Sequence, residues 1–216
     1  MRLFLLRHGR TEWNAQRRFQ GQADPPLDEV GRMQAYEVAG LVAALRPDRI
    51  VSSDLVRALE TAQIVASTVP MPVTVDARLR ERSLGHWEGL TRDQVQSTYP
   101  DEFADWRAGR DISRRGGETR DEVAARALAA FTEQAPVETS VLVTHSATAM
   151  ALTNALIGIA QAQHPLGPLA NCHWTELWID EGAWRLRAHN VGVPGTVIPV
   201  AIGRPADEED APDAYA

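Results

Sequence analysis

Two histidines of this chain follow short apolar runs, at positions where a side chain could act on a ligand. His8 comes after residues 3–6 and Arg7, and His145 comes after residues 140–144. A neutral imidazole is nucleophilic near pH 7, because its reference pKa is about 6.5. Nucleophilic chemistry by histidine is therefore the first hypothesis.

Further ionisable residues follow two other apolar runs. Arg57 lies shortly after the run at 49–53, and Glu81 lies a few residues after the run at 73–76. Two guanidinium groups and two imidazoles are costly to bury together unless an anion compensates them. Phosphate fits, because arginine offers planar paired donors that match its oxygens. The pattern predicts a phosphate site built from Arg7, Arg57 and the two histidines.

The elements around these residues alternate between strand and helix patterns. The four apolar runs suit strands that are buried on both faces. Between them, Val38, Leu41, Val42 and Leu45 follow helical spacing, and Thr119 and Glu122 form a capping box. A second helical stripe comprises Leu55, Leu59, Ala62 and Val65.

This alternation predicts an α/β fold with a mostly parallel central sheet and helices on both faces. The carboxyl ends of parallel strands deliver their side chains to one shared rim, where ligands bind. We therefore expect the histidines, arginines and Glu81 to meet there. We place the helix that carries Arg57 near Asp54, with Arg57 one turn inside it.

Three segments depart from the alternation. Residues 85–118 combine Gly, Trp, Pro and dense charge, which favours a small, mostly helical cap over the sheet. Residues 173–179 and 184–190 flank the turn Asp180-Glu181-Gly182, which predicts an antiparallel hairpin at the sheet edge. We expect one domain over residues 1–202 and a disordered acidic tail over residues 203–216.

Composition excludes several classes of function. The net charge is -7, but residues 203–216 hold five acidic residues and one Arg, which leaves 24 acidic and 21 basic residues in the body. Such balance gives no reason to bind nucleic acid or an anionic membrane. One cysteine, Cys172, cannot form an internal disulfide, and the absence of lysine excludes Schiff-base chemistry. The apolar stretch at residues 3–6 is too short for a signal peptide, so we expect a cytoplasmic protein.

The ordered motifs of the chain resemble those of the histidine phosphatase superfamily, whose founding members are cofactor-dependent phosphoglycerate mutases. The resemblance covers roughly residues 1–200. It is carried by Arg7-His8-Gly9-Arg10-Thr11, Asn14, Phe19-Gln20-Gly21, Ser52-Ser53-Asp54-Leu55-Val56-Arg57-Ala58, Leu79-Arg80-Glu81, Gly85-His86-Trp87-Glu88-Gly89, Gly116-Gly117-Glu118-Thr119 and Val143-Thr144-His145.

The resemblance implies a role for each matching residue. His8 would be the nucleophile that forms a phosphohistidine, and Glu81 would donate the proton to the leaving group. The remaining residues would bind the phosphoryl group or the substrate; they are Arg7, Asn14, Gln20, Gly21, Arg57, His145 and Ser146. Arginines and His145 would supply the charge that Mg²⁺ supplies elsewhere, so we expect no metal and no cofactor.

Three activities remain open from the sequence: a phosphomonoester phosphatase, a phosphoglycerate mutase, and a non-catalytic protein that binds phosphate or a partner. The phosphatase is favoured, because the chain is shorter than the mutases it resembles and its tail does not look like one that shields phosphohistidine. The expected substrate is a small phosphorylated metabolite, such as glucosyl-3-phosphoglycerate or another sugar or glycerate phosphate. A homodimer is possible.

Two sequence features leave the substrate undecided. Ser146 stands where the family often has glycine, and its side chain could narrow the pocket. Arg114-Arg115 resembles the paired arginines with which mutases hold a substrate carboxylate, but a solvated charge pair on the cap fits the sequence equally well.

Overall fold

The structure, a computed structural model, describes residues 1–163 and 166–193. One six-stranded sheet forms the centre of this part of the chain. The strand order is β3-β2-β4-β1-β5-β6. The strands are β1 (Arg2–Arg7), β2 (Arg49–Ser52), β3 (Val73–Val75), β4 (Thr139–Thr144), β5 (Trp174–Asp180) and β6 (Ala183–Val191).

The sheet confirms the predicted topology, with four parallel strands and one antiparallel edge. Strand β1 pairs in parallel with β4 and antiparallel with β5, and β5 pairs antiparallel with β6. The predicted hairpin is present, with its turn at Glu181 and Gly182. One expectation is wrong: β3 is not buried on both faces, because it pairs with β2 alone at the sheet edge and exposes Thr74 and Val75.

Seven α-helices lie in the described residues. They are α1 (Glu12–Ala15), α2 (Glu29–Ala44), α3 (Val56–Ala66), α4 (Arg92–Thr98), α5 (Pro100–Arg107), α6 (Arg120–Thr132) and α7 (Ser146–Ile157). The predicted capping box begins α6: the Thr119 hydroxyl accepts from the Glu122 N–H, and the Glu122 carboxylate accepts from the Thr119 N–H.

Helices cover both faces of the sheet, as predicted. In β1, Phe4 and Leu6 pack against α2 and α3, whereas Leu3 and Leu5 pack against α6 and α7. Alternate side chains of one strand therefore enter two separate cores. Because both faces of β1 are buried, the strand has a fixed position in the sheet, and so do the residues that follow it.

Two details of the helix predictions are wrong. Helix α3 begins at Val56 rather than near Asp54, because the backbone of Leu55 is still extended, with ψ 133°. The Ser53 hydroxyl and the Asp24 carboxylate accept from the N–H groups of Leu55 and Val56, which have no partner within the helix. Arg57 is thus its second residue, not one turn inside. In α2, the buried stripe comprises Ala35, Val38, Ala39 and Val42, while Leu41 and Leu45 are only partly buried.

The predicted cap over residues 85–118 is mostly helical, with α4, α5 and short 3-10 turns at Gly85–Trp87 and Ser113–Arg115. It has its own apolar cluster, formed by Phe19, Leu84, Trp87, Val95, Phe103 and Ile112. Trp87 is fully buried, and its indole N–H donates to the Glu102 carboxylate at 2.7 Å. The cap is therefore packed around its own core.

The expected domain end at residue 202 and the expected disordered tail lie outside the described residues. Among the residues that are described, no helix has the length and apolar character needed to cross a membrane.

Candidate active site

The carboxyl ends of three central strands bring the predicted residues to one rim. His8 follows β1 and its N–H donates to the Thr144 carbonyl at 3.0 Å, at the end of β4. The centroids of the His8 and His145 rings are 5.0 Å apart. Both imidazoles are buried. The expected meeting of the two histidines is confirmed.

His8 has the protonation pattern of a nucleophile. Its Nδ1 lies 2.7 Å from the Gly9 carbonyl oxygen, which can only accept, so Nδ1 carries the proton and Nε2 carries the lone pair. Burial, together with the charges of Arg57 and Arg7, lowers the pKa of His8 well below its usual value. The ring is therefore neutral near pH 7 and presents Nε2 for attack.

The guanidinium of Arg57 contacts that nitrogen. Its Nε lies 3.3 Å from His8 Nε2, and its two terminal nitrogens donate to the carbonyls of Gly21 and Ala23 at 2.8 and 2.7 Å. Burial lowers the pKa of Arg57 to about 10, so the group keeps its charge at neutral pH. The two carbonyl bonds hold this charge in a fixed direction.

The loop that supplies these carbonyls is fastened to the cap by Glu88. The Glu88 carboxylate accepts from the N–H groups of Gln22, Ala23 and Leu84 at 2.9–3.1 Å. Gly21 has φ +51°, and a Cβ there would collide with Glu88. Gly21 thus contributes to the site through its carbonyl and its close approach to Glu88.

Asn14 and Gln20 lie near each other beside His8. The Thr11 side chain joins them, because its hydroxyl lies 3.2 Å from Asn14 Oδ1 and 3.1 Å from Gln20 Oε1. Asn171 donates to the His8 carbonyl at 3.0 Å and to Asn14 Oδ1 at 3.3 Å. Both predicted residues therefore border the His8 end of the rim.

Glu81 lies at the amino end of α7. Its carboxylate accepts from the N–H groups of Arg82 at 2.8 Å, Thr148 at 3.2 Å and Ala147 at 3.3 Å. The N-terminus of a helix stabilises negative charge. Glu81 therefore sits beside the residues that follow His145 along the chain.

Arg7, His145 and Ser146 complete the rim. The Arg7 guanidinium is buried and donates to the Leu169 carbonyl at 2.7 Å. Ser146, the first residue of α7, is fully buried, and its hydroxyl accepts from the Leu169 N–H at 3.3 Å. Burial and the charge of Arg57 lower the pKa of His145 well below its usual value.

Sequence reasoning missed two residues of the site, Thr148 and Asn171. Thr148 lies three residues after His145, so the rule that helix N-termini bind anions could have found it. Asn171 left no signal, because it reaches His8 from an irregular segment rather than from a strand end.

The two neighbouring arginines of the cap differ in their surroundings. Arg114 is exposed and donates to Asp105 at 2.6 Å, as a solvated charge pair would. Arg115 is buried against the face of Trp87, and its Nε and Nη2 have no hydrogen-bond partner among the described residues. Burial lowers the pKa of Arg115 to about 9. The two side chains therefore do not act as a pair.

A groove runs from the rim along α7. Together with the open solvent in front of it, the groove spans about 490 Å³. One face of α7 lines it with Ala147, Met150, Ala151 and Asn154, and the other lining residues are Arg82, Trp106, Arg120, Val123 and Gln161. The groove begins at Ala147, whose N–H donates to Glu81, so it adjoins the acid.

Among the described residues that line this groove, two are arginines and none is acidic. Asp111 accepts from Arg82 at 2.6 Å and from Arg120 at 3.0 Å, so one carboxylate serves two guanidinium groups. The charges of Arg82 and Arg120 also help to lower the pKa of Arg115. This side of the groove is suited to a ligand that carries a negative group.

Comparison with known proteins identifies relatives over nearly the whole described chain. The family model described as histidine phosphatase superfamily (branch 1) matches residues 3–192. A glucosyl-3-phosphoglycerate phosphatase of Mycolicibacterium vanbaalenii is 41% identical over 187 residues, which cover 82% of this chain and 83% of the relative. A probable phosphoglycerate mutase GpmB of Salmonella paratyphi C is 34% identical over 206 residues, covering 91% and 94%.

A solved structure agrees with the first of these relatives. The structure of mycobacterial glucosyl-3-phosphoglycerate phosphatase in complex with VO3 has a TM-score of 0.81 and 39% identity to this chain, with coverage of 88% of this chain and 99% of the other. Sheet order, helices and family motifs therefore all lead to one group of proteins.

Proposed function

Since this chain belongs to the histidine phosphatase superfamily (branch 1) and is a phosphatase, we propose that His8 is its phosphorylated residue and that its substrate is glucosyl-3-phosphoglycerate or a closely similar ester. The phosphatase function is favoured over the mutase alternative, because the relatives of higher identity are phosphatases. The family acts through a phosphohistidine. The residue roles below are our proposal.

One observation carries the assignment of the nucleophile. His8 is a buried neutral imidazole whose Nδ1–H is held by the Gly9 carbonyl and whose Nε2 faces Arg57. His145 has its Nε2 occupied by contact with Ser53, so His8 is the ring whose Nε2 faces a guanidinium. A phosphoryl group that approaches Nε2 would replace this contact with Arg57 and would lie next to both the lone pair and the positive charge.

In the first step, His8 Nε2 attacks phosphorus, the N–P bond forms, and the bond from phosphorus to the ester oxygen breaks. Arg57, Arg7 and His145 stabilise the charge on the transferring oxygens through fixed donors. Glu81 gives its proton to the departing alkoxide.

In the second step, water attacks phosphorus and the N–P bond breaks. Glu81 now takes a proton from the attacking water and so returns to its protonated form. Three N–H groups hold the Glu81 carboxylate in a fixed position for this step. Phosphate then leaves, and His8 is neutral again.

The groove supports the choice of substrate. The leaving group of glucosyl-3-phosphoglycerate carries a carboxylate and a glucosyl ring. Arg82 and Arg120 provide positive charge for the carboxylate, while Trp106 and the amides of Asn154 and Gln161 provide an apolar face and polar groups for the sugar. A phosphoryl group at His8 would direct such a leaving group past Glu81 into this groove.

A panel of phosphate esters tests the proposed substrate. The panel contains glucosyl-3-phosphoglycerate, 3-phosphoglycerate, phosphoserine, a hexose phosphate, ribazole phosphate and p-nitrophenyl phosphate, each assayed for phosphate release, with a parallel mutase assay on 3-phosphoglycerate. We expect kcat/KM to be highest for glucosyl-3-phosphoglycerate. Faster hydrolysis of the hexose phosphate or ribazole phosphate, which are alkyl esters without a carboxylate, would reject the proposed substrate, and net phosphate transfer between hydroxyls would favour the mutase. p-Nitrophenyl phosphate serves only to show that the enzyme is active, because its leaving group is activated.

Three further expectations stay predictions. Metal independence is tested by assaying phosphate release with EDTA and after adding back Mg²⁺. A cytoplasmic location and a homodimeric state are tested by cell fractionation and by light scattering of the purified protein.

A further inference from the structure

The hydrogen bonds of His145 leave one nitrogen unassigned. Its Nε2 lies 3.0 Å from the Ser53 hydroxyl oxygen, while its Nδ1 is buried and has no hydrogen-bond partner among the described residues. Burial and Arg57 keep the pKa of this ring low, so the neutral ring has one proton to place on one of its two nitrogens. The location of that proton decides what His145 offers to a ligand.

The two tautomers differ in their effect on a phosphoryl group. With the proton on Nδ1, the unpartnered nitrogen is a donor and can bind a phosphoryl oxygen. With the proton on Nε2, the same nitrogen presents a lone pair to a negatively charged group, which is repulsive. The productive tautomer therefore needs a donor at Nε2.

Ser53 can act as that donor. Its hydroxyl oxygen lies 3.3 Å from the Leu55 N–H, from which it accepts, so its own proton is free to point at His145. The residue is fully buried, and its backbone N–H donates to the Val143 carbonyl at 2.9 Å. The hydroxyl is thus held between the start of α3 and the imidazole.

We propose that Ser53 is a positioning residue that donates its hydroxyl proton to Nε2 of His145 and so holds this ring in the tautomer whose Nδ1–H binds the phosphoryl oxygen. The proposal rests on the phosphoryl site proposed above. The hydrogen bond from Ser53 makes the neutral ring of His145 a fixed donor without adding another positive charge beside Arg57 and Arg7. The Gly9 carbonyl likewise fixes the tautomer of His8, but there the result is a lone pair on Nε2.

Nitrogen NMR of the ring tests the tautomer directly. The ¹⁵N shifts of the histidine rings are recorded for the full chain with and without saturating inorganic phosphate, and the His145 signals are assigned by their loss in His145→Gln. We expect His145 in the phosphate complex to show a protonated Nδ1 and an unprotonated Nε2. A protonated Nε2, whether in a neutral or a charged ring, would overturn the proposal.

Three variants test the role of the hydroxyl. Ser53→Ala should weaken inhibition by inorganic phosphate and lower kcat, each about 10-fold, as expected for one buried hydrogen bond. It should also abolish the single-tautomer signature of His145. Ser53→Thr should restore that signature. Ser52→Ala is the matched control, because Ser52 is equally buried but its hydroxyl donates to the Ser53 carbonyl and not to His145.

The outcomes separate this proposal from the proposed function. If wild-type protein releases phosphate from no ester, the function fails, but the NMR measurement still decides the tautomer. If Ser53→Ala does not fold, the wild-type spectrum is sufficient. An unchanged tautomer in folded Ser53→Ala, with phosphate inhibition within twofold of wild type, would contradict the role of Ser53.

Discussion

The phosphoryl site and the groove along α7 are built in different ways. His8, Arg57 and His145 are almost completely inaccessible and stand at or just past the ends of the central strands. The groove is lined by α6, α7 and Trp106 of the cap, and it opens to solvent. Strand ends of the sheet therefore position the proposed phosphoryl site, whereas helices and the cap form the groove proposed for the leaving group.

This contrast makes the two regions separable by mutation. Changes in the phosphoryl site should affect every substrate alike, because all substrates share the phosphoryl group. Changes in the groove should affect only those substrates whose leaving groups reach it. Glu81 lies at the boundary, since it borders the groove and is proposed to act on the ester oxygen.

Among the variants that keep the proposed nucleophile His8, Arg57→Ala should lose the most activity. We expect kcat/KM to fall about 10³-fold, the upper range for the loss of one oxyanion donor, and to fall equally for glucosyl-3-phosphoglycerate and p-nitrophenyl phosphate. Steady-state kinetics with both esters measure this. The control is Arg32→Ala, which removes an exposed arginine paired with Glu60. A loss confined to one ester would place Arg57 in leaving-group recognition instead.

Glu81→Gln should give a loss that depends on the leaving group. The rate of phosphorylation should fall about 10²-fold or more for a glycerate alkoxide, the usual scale for general acid catalysis. For p-nitrophenyl phosphate the loss should be much smaller, because nitrophenolate leaves without a proton. Single-turnover kinetics isolate this step from the later hydrolysis of phosphohistidine, which also uses Glu81. Equal losses would assign the acid to another residue, with His145 the first to examine.

Arg120→Ala should affect only carboxylate substrates. We expect KM for glucosyl-3-phosphoglycerate to rise about 10-fold, as for the loss of a hydrogen bond to a charged group, with p-nitrophenyl phosphate unchanged. Arg114→Ala is the matched control, because Arg114 is a cap arginine that pairs with Asp105 outside the groove. Comparable losses on both esters would show that Arg120 supports the fold and not the substrate.

The smallest expected effect is a pH dependence of stability that belongs to the phosphoryl site. The pKa values of His8 and His145 are lowered by burial, so the unfolded chain binds more protons below its own histidine pKa of about 6.5. The contribution of these two histidines to the free energy of unfolding should therefore be complete above pH 6.5. It should fall as the pH drops from 6.5 toward 5, by up to about 1.4 kcal/mol per pH unit for each histidine.

Urea unfolding of wild type and His145→Gln measures this dependence. Between pH 6.5 and 5, the slope of the free energy of unfolding against pH should be smaller in His145→Gln by the contribution of one histidine. Arg120→Ala should keep the wild-type slope. His189, whose pKa burial also lowers, contributes equally to all three proteins and cancels in the comparison. The same slope in wild type and His145→Gln would mean that His145 is not buried as a neutral ring.

The sequence was most informative where residues follow strands. His8 and His145 could be placed at one rim, because short apolar runs closed by polar residues identify the strand ends. The cap and the hairpin could be predicted from composition and turn residues. The exposure of β3 could not, since an edge strand of three residues has the same pattern as a buried one.

The groove was beyond the reach of sequence reasoning. Arg82 and Arg120 are far apart in the chain and meet only through Asp111, and Asn154 is one residue on a helix without a distinctive pattern. Likewise, Arg114 and Arg115 are neighbours in sequence, yet one is solvated and the other lies against Trp87. Tertiary packing decides these positions, and no local signal precedes it.

The central claim, that catalysis proceeds through phosphorylated His8, is tested most directly by trapping the intermediate. The enzyme is mixed with ³²P-labelled substrate, quenched in base within milliseconds and digested, and the labelled peptide is sequenced by mass spectrometry. We predict about one acid-labile phosphoryl group per active site, carried by the peptide that contains His8, and none in His8→Ala, which should also lose turnover. Label on another residue, or near-normal turnover by His8→Ala, would contradict the account.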